Sequence, residues 1–224
     1  LEYEQSGLEL AEMDELVGRM RISRDAQRVS TYCGGSGAAH QLLDQFIRED
    51  LPHYADRSRD PNADCASHLS PYLHFGQISP LEVALKVQEA ESAGEMNREQ
   101  FLEQLIVRRE LCFNFCEHNS SYDSFDCLPQ WATETLQAHA GDEREYLYTP
   151  GELERAETHD PYWNAAQKRM VATGYMHNYM RMYWGKKILE WTQAPRKAFR
   201  TVMKLNNRYK LNGREHCSFA NVAR

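Results

Sequence analysis

The sequence predicts an all-α domain, and three observations predict it. Apolar residues recur at three- and four-residue spacing through seven long segments. No stretch alternates apolar and polar residues as a half-buried strand does, and helix start signals stand at the head of several segments.

In chain order, residues 1–30 form a polar, acidic lead that reads as a linker, and residues 31–224 read as one helical domain. A Gly-rich break, "CGGSGAAH" (33–40), precedes the first helical segment, 38–54. The loop "DRSRDPNADCASHLSP" (56–71) then collects Asp, Asn, Ser and Pro, residues that favour turns over helix. Segment 80–92 opens on Ser79 and Pro80, because proline fits the first helical position, where its missing N–H would have no intrahelical acceptor. Segments 98–117 and 130–140 follow, separated by "NSSYDSFDCLP" (119–129). After the loop "AGDEREYLYTPG" (140–151), segment 161–173 opens on Asp160 and Pro161, 176–191 follows directly, and Pro195 opens 196–209. With no internal repeat, the expected product has seven or eight helices.

Composition excludes several classes. Of 224 residues, 42% are hydrophobic and 26% charged, as in water-soluble globular domains, and the apolar runs are too short to span a bilayer. Six scattered cysteines lack the density of a disulfide scaffold and fit a reduced, cytoplasmic setting. Cys112, Cys116 and His118 have spacing that invites a zinc reading, but no second ligand pair accompanies them, so no metal is expected. The net charge of −7 conceals a split: residues 161–224 carry 13 Lys and Arg against 2 acidic residues, the rest 13 against 31. Such a block is either a solvated basic face or a surface that follows a phosphate backbone.

The stretch "GYMHNYMRMYWGKKILEW" (174–191) concentrates aromatic and thioether side chains on one helix. Trp184 and Trp191, seven apart, share a face and lie roughly 10 Å apart along the axis. Two heptad-spaced indoles fill a core, or they pass electrons to a redox centre; periodicity alone leaves both readings open.

Four collinear stretches carry a resemblance: "SHLSPYLHFGQISP" (67–80), "FLEQLIVRRELCFNF" (101–115), "DPYWNAAQKRMVATGYMHNYMRMYWGKKILEW" (160–191) and "LNNRYKLNGR" (205–214). Together they resemble the helical flavin domain of class II cyclobutane pyrimidine dimer photolyases, within the photolyase/cryptochrome family. The resemblance implies FAD in an all-α domain and double-stranded DNA containing pyrimidine dimers as partner. It also implies light-driven splitting of the dimer by an electron from excited reduced flavin, in a monomer outside membranes, cytoplasmic and nucleoid-associated or nuclear. The family's N-terminal α/β antenna domain and the C-terminal end of its helical domain have no counterpart here.

Carried over position by position, the resemblance places Ser67, Leu69 and Ser70 in the loop that holds the FAD diphosphate, a task suited to backbone N–H groups leading into a helix. Tyr54, Arg108 and Arg181 are implied flavin contacts, and Asn206 faces the flavin's redox nitrogen. Trp184, Trp163 and Trp191 match the family's electron relay, with Trp184 nearest the flavin and Trp191 at the surface end. Gln104, Met182 and Asn178 match positions beside the dimer; Gln104, one turn before Arg108 and expected on the same side, replaces a glutamate. An amide still donates hydrogen bonds there but relays no proton. Asn212 replaces an aspartate that pairs with Arg181 in relatives, leaving that charge without its partner, and Arg224 replaces a tryptophan that stacks on the dimer. Two other readings stand beside the photolyase: a cryptochrome-like flavin photosensor, and a cofactor-free remnant that binds nucleic acid through its basic third.

Overall fold

The computed structural model describes residues 13–22 and 26–223, and every regular element among them is helical. The first half contains α1 (Met13–Arg19), α2 (Ser36–Glu49), α3 (Tyr54–Arg57), α4 (Ser70–His74), α5 (Pro80–Glu89) and α6 (Glu95–Leu102). A π-helical stretch, Glu103–Arg108, joins α6 to α7 (Arg109–His118). The second half contains α8 (Gln130–Ala138), α9 (Pro150–Arg155), α10 (Pro161–Thr173), α11 (Asn178–Glu190), α12 (Pro195–Tyr209) and α13 (His216–Ala223).

The described residues thus hold thirteen α-helices where seven or eight were expected. Segment 38–54 breaks after Glu49 into a 3₁₀ turn, Leu51–His53, because Pro52 lacks an N–H and its ring crowds the preceding turn. Short helices α4, α9 and α13 fall where loops or no element were expected. The linker reading of 1–30 falls in large part on residues outside the described set, and Arg224 lies outside it altogether.

Two apolar cores organise the chain. In the first, Leu43 and Phe46 of α2 meet Val83 and Val87 of α5 and Phe101 of α6, with the Phe46 and Phe101 rings 4.9 Å apart. The second gathers Leu153, Trp163, Met170, Trp184, Ile188, Trp191, Ala198 and Leu205 from α9 to α12 and the turn after α11. Each fully buried indole removes roughly 200 Å² from water, worth about 5 kcal/mol at ~25 cal/mol per Å². That makes the three tryptophans the main apolar contribution of the second half. Beyond it, α13 lies along α7, where the Phe113 and His216 rings stack at 3.9 Å.

Polar contacts join the halves. Thr31 donates to the Thr173 carbonyl (3.0 Å), Arg169 reaches Asp64 (3.6 Å), and His177 Nε2 meets the Ser58 carbonyl at 3.1 Å.

Candidate functional site: an indole stack beside a cationic seam

The indole stack begins with a cap. Asp160 Oδ1 accepts the backbone N–H groups of Tyr162 (2.9 Å) and Trp163 (3.0 Å), and its Oδ2 accepts the Tyr183 hydroxyl. The cap fixes the first turn of α10 and ties it to α11. Trp163 is thereby inserted between the two heptad-spaced indoles. Its ring lies parallel to Trp184 (centroids 6.4 Å, 10°) and edge-on to Trp191 (5.6 Å, 66°). All three are at most 1% exposed. Their π systems therefore touch in the order Trp184, Trp163, Trp191, an arrangement able to pass charge as well as fill space.

Hydrogen bonds fix two of the rings. Trp163 Nε1 donates to the Trp184 carbonyl (3.0 Å), and Trp184 Nε1 donates to Gln167 Oε1 (2.9 Å). Trp191, expected at the surface end, is buried, so the surface is reached through other rings. Tyr148 (5.5 Å) and His159 (5.1 Å) pack edge-on against it, and the Tyr148 hydroxyl and His159 Nδ1 share a 2.8 Å hydrogen bond. Tyr146, partly exposed, stacks on His159 at 3.8 Å.

The seam holds the other expected residues. Leu69 caps α4 and is buried, and its N–H reaches Ser67 Oγ at 3.4 Å; Ser70, first residue of α4, is exposed. His68 between them takes φ +53°, a left-handed conformation uncommon outside glycine, and bonds Tyr32 (3.2 Å) while its ring lies 4.6 Å from Tyr175. A cavity of about 310 Å³ opens there, lined by Thr31, Tyr32, His68, Arg169 and Tyr175 among others. Tyr54 packs edge-on between Phe46 and Phe101, and burial pushes its hydroxyl up to about 12. Asn206 is buried, its amide donating to Asn207 Oδ1 at 3.2 Å.

Arg181 and Lys210 set the electrostatics. Both are partly solvent-accessible yet enclosed on most sides, as side chains lining an internal cleft are. Burial first, then repulsion from Arg181, brings Lys210 down to about 7; burial also lowers Arg181. Glu215 acts favourably on both cations, and burial raises its own pKa. Arg181 is not left without a partner: Asn178 Oδ1 accepts from it at 2.7 Å, while Asn212 donates to Glu215 instead.

Gln104 and Arg108 lie in the π-helical stretch, where Arg108 pairs with Glu103 at 3.3 Å. Gln104, Arg108 and Met182 are exposed, and Asn178 is exposed at the start of α11. Cys112 and Cys116 donate to the carbonyls of Arg108 (3.1 Å) and His216 (3.7 Å), none of the six cysteines forms a disulfide, and no metal-binding group of three occurs among the described residues. The basic block divides as helical geometry requires. Arg196, Lys197, Arg200 and Lys204 share the exposed face of α12, Arg196 pairing with Asp126 and Lys204 with Glu154, while Arg208 turns inward to Glu154.

Sequence reasoning missed Gln167, Tyr148 and His159, and counted Lys210 only within the basic block. Gln167 had a signal, since it stands one turn after Trp163 and so shares the face of that indole. The other three become neighbours of the site only through the packing of separate segments.

The chain is 50% identical over 212 residues to a deoxyribodipyrimidine photo-lyase of Methanothermobacter thermautotrophicus, covering 95% of this chain and 46% of that protein. It is 42% identical over 194 residues to a deoxyribodipyrimidine photo-lyase of Potorous tridactylus, covering 87% and 36%. A bacterial class III photolyase from Agrobacterium tumefaciens shares the fold, with TM-score 0.67 at 21% identity over 84% of this chain and 38% of that one. No family model matches. The chain spans less than half the length of these relatives. Sequence similarity over most of the chain, together with the shared helical fold, places it in the photolyase/cryptochrome family. Within it, the chain is a homologue of the deoxyribodipyrimidine photo-lyases.

Proposed function

We propose that this chain is the flavin-binding part of a class II deoxyribodipyrimidine photo-lyase, which repairs cyclobutane pyrimidine dimers in double-stranded DNA by light-driven electron transfer. The observation that carries the reading is the buried contact series Trp184, Trp163, Trp191. A core needs only volume from its aromatics, whereas three indoles in unbroken contact beside a cationic seam suit electron supply to a bound redox group. FAD supplies one-electron chemistry and absorption of blue light when bound.

The chain's residues divide the remaining work. Ser67, Leu69 and Ser70 offer hydroxyl and backbone groups to the diphosphate at the start of α4, with Arg181 and Lys210 as counter-charges. Tyr54, Arg108 and Asn206 border the flavin. Met182 and Asn178, exposed on α11, and Gln104 meet the extruded dimer. Arg196, Lys197, Arg200 and Lys204 face the duplex backbone, so affinity falls steeply with salt. The protein works as a monomer in the cytoplasm or nucleus. Among the described residues no helix is long and apolar enough to cross a membrane.

The test is direct. Purified chain reconstituted with FAD is expected to retain flavin absorbance after gel filtration and to restore dimer-containing oligonucleotides under blue light but not in darkness. A colourless protein that binds damaged and undamaged DNA alike refutes the reading.

A further inference from the structure

Among the described residues, Gln167 is a fully buried polar side chain, with no exposed surface, set against the indole core. Its orientation is determined by its partners. The Trp184 indole N–H can only donate and the Glu154 backbone carbonyl can only accept, so Oε1 faces Trp184 (2.9 Å) and Nε2 faces Glu154 (3.2 Å). Trp163 likewise donates to a carbonyl oxygen, that of Trp184. Trp191 Nε1 is buried with no hydrogen-bond partner.

The titratable groups around the stack are engaged elsewhere. Asp160 holds two backbone N–H groups and Tyr183; the Glu154 carboxylate takes Arg208, Tyr209 and Lys204; Glu190 takes Lys187, whose ammonium lies 5.6 Å from the Trp191 ring. His159 shares its Nδ1 hydrogen bond with Tyr148. No indole N–H of the stack therefore donates to a base.

We propose that Gln167 is a positioning residue whose non-basic amide holds the one place from which a side chain could take the Trp184 ring proton, so that the proton stays when that indole surrenders an electron and the stack conducts electrons and no protons. The inference rests on the flavin reading above. With FAD bound, Trp184 would give it one electron and become an indole radical cation with its N–H intact. One electron from Trp163 restores Trp184, one from Trp191 restores Trp163, and a soluble thiolate supplies the last, becoming a thiyl radical. Each hop breaks no bond and leaves every proton in place, because an amide oxygen accepts a hydrogen bond but holds no proton near neutral pH.

The test compares Gln167→Glu and Gln167→Met in the FAD-loaded chain by flash absorption across neutral pH, in light and heavy water. The wild type and the Met variant are expected to give a protonated tryptophan radical with no pH dependence and no solvent isotope effect. Gln167→Glu alone is expected to give the deprotonated radical, an isotope effect above unity, and hole transfer that slows as pH rises. A merely structural role would move the Met and Glu variants together.

Ultraviolet photoionisation of the flavin-free Trp131→Phe chain, read by EPR, measures the same N–H coupling without any cofactor. Loss of flavin signal in every protein thus counts against the flavin reading, not against Gln167. A deprotonated radical in the wild type overturns the proposal, and this arm holds even if Gln167→Glu does not fold. A Gln167→Glu protein indistinguishable from wild type overturns it as well.

Discussion

Asp160 carries the α10 cap, the α10 to α11 tie and the placement of Trp163, so its replacement should be costly in a calculable way. Asp160→Ala removes an N-cap worth about 1 kcal/mol, a helix-dipole charge worth about 0.5 kcal/mol, and a Tyr183 hydrogen bond to a carboxylate worth about 2 kcal/mol. Because one side chain makes all three, the contributions overlap, and a total near 3 kcal/mol is expected. Asp160→Asn keeps the cap and should lose only about 1 kcal/mol.

The pH dependence separates these variants further. Burial raises the Asp160 pKa, but hydrogen bonds from Tyr183, Trp163 and Tyr162 outweigh it and hold the carboxyl below its ordinary value. A depressed carboxyl stabilises the fold above the unfolded pKa of about 3.9, and that contribution is lost as pH falls through the folded value. The gap between wild type and Asp160→Asn should therefore be constant near neutrality and close below about pH 4. Urea unfolding followed by circular dichroism reads it, a 3 kcal/mol loss moving the midpoint by about 1–2 M. An Asp160→Ala loss below about 1 kcal/mol, or an Asn gap unchanged at low pH, would refute this account of the cap.

Two further outcomes follow from the packing and the charges. Gly174 ends α10 at φ +68°, and an added Cβ would stand 2.6 Å from Leu211 Cγ, whose own N–H donates to the Gly174 carbonyl. Gly174→Ala should cost about 2–4 kcal/mol in urea unfolding, whereas Gly185→Ala, into open space on α11, should gain up to about 1 kcal/mol. Lys210 titrates near 7 when folded but near 10.4 when unfolded, so between those values the unfolded chain binds more protons. Stability of the flavin-free chain should rise with pH from about 7 to 10, and Lys210→Met should abolish that rise in thermal midpoints.

The helices longest in sequence were legible because their signals are local. Pro161 and Pro195 mark α10 and α12 to the residue, and α11 differs from its expected span by two residues at one end and one at the other. Helix α9 was legible too: Thr149 and Glu152 form a capping box around Pro150, a signal present in "LYTPGELER" but hidden inside a loop-like composition. The π-helical register of Glu103–Arg108 has no such signal, since the apolar spacing through 98–117 fits an ordinary helix.

The relay shows where local reading stops. Heptad spacing puts Trp184 and Trp191 on one face, but the ring that connects them belongs to α10 and arrives through the Asp160 cap and the packing of α10 on α11. Burial of Trp191 likewise depends on Tyr148, whose backbone N–H bonds the Trp191 carbonyl at 3.2 Å from a different part of the chain. Contact order, not composition, thus turns two core-filling indoles into a continuous path. Any substitution that keeps all three tryptophans but displaces the α10 N-terminus should therefore break that path, as surely as replacing Trp163 itself.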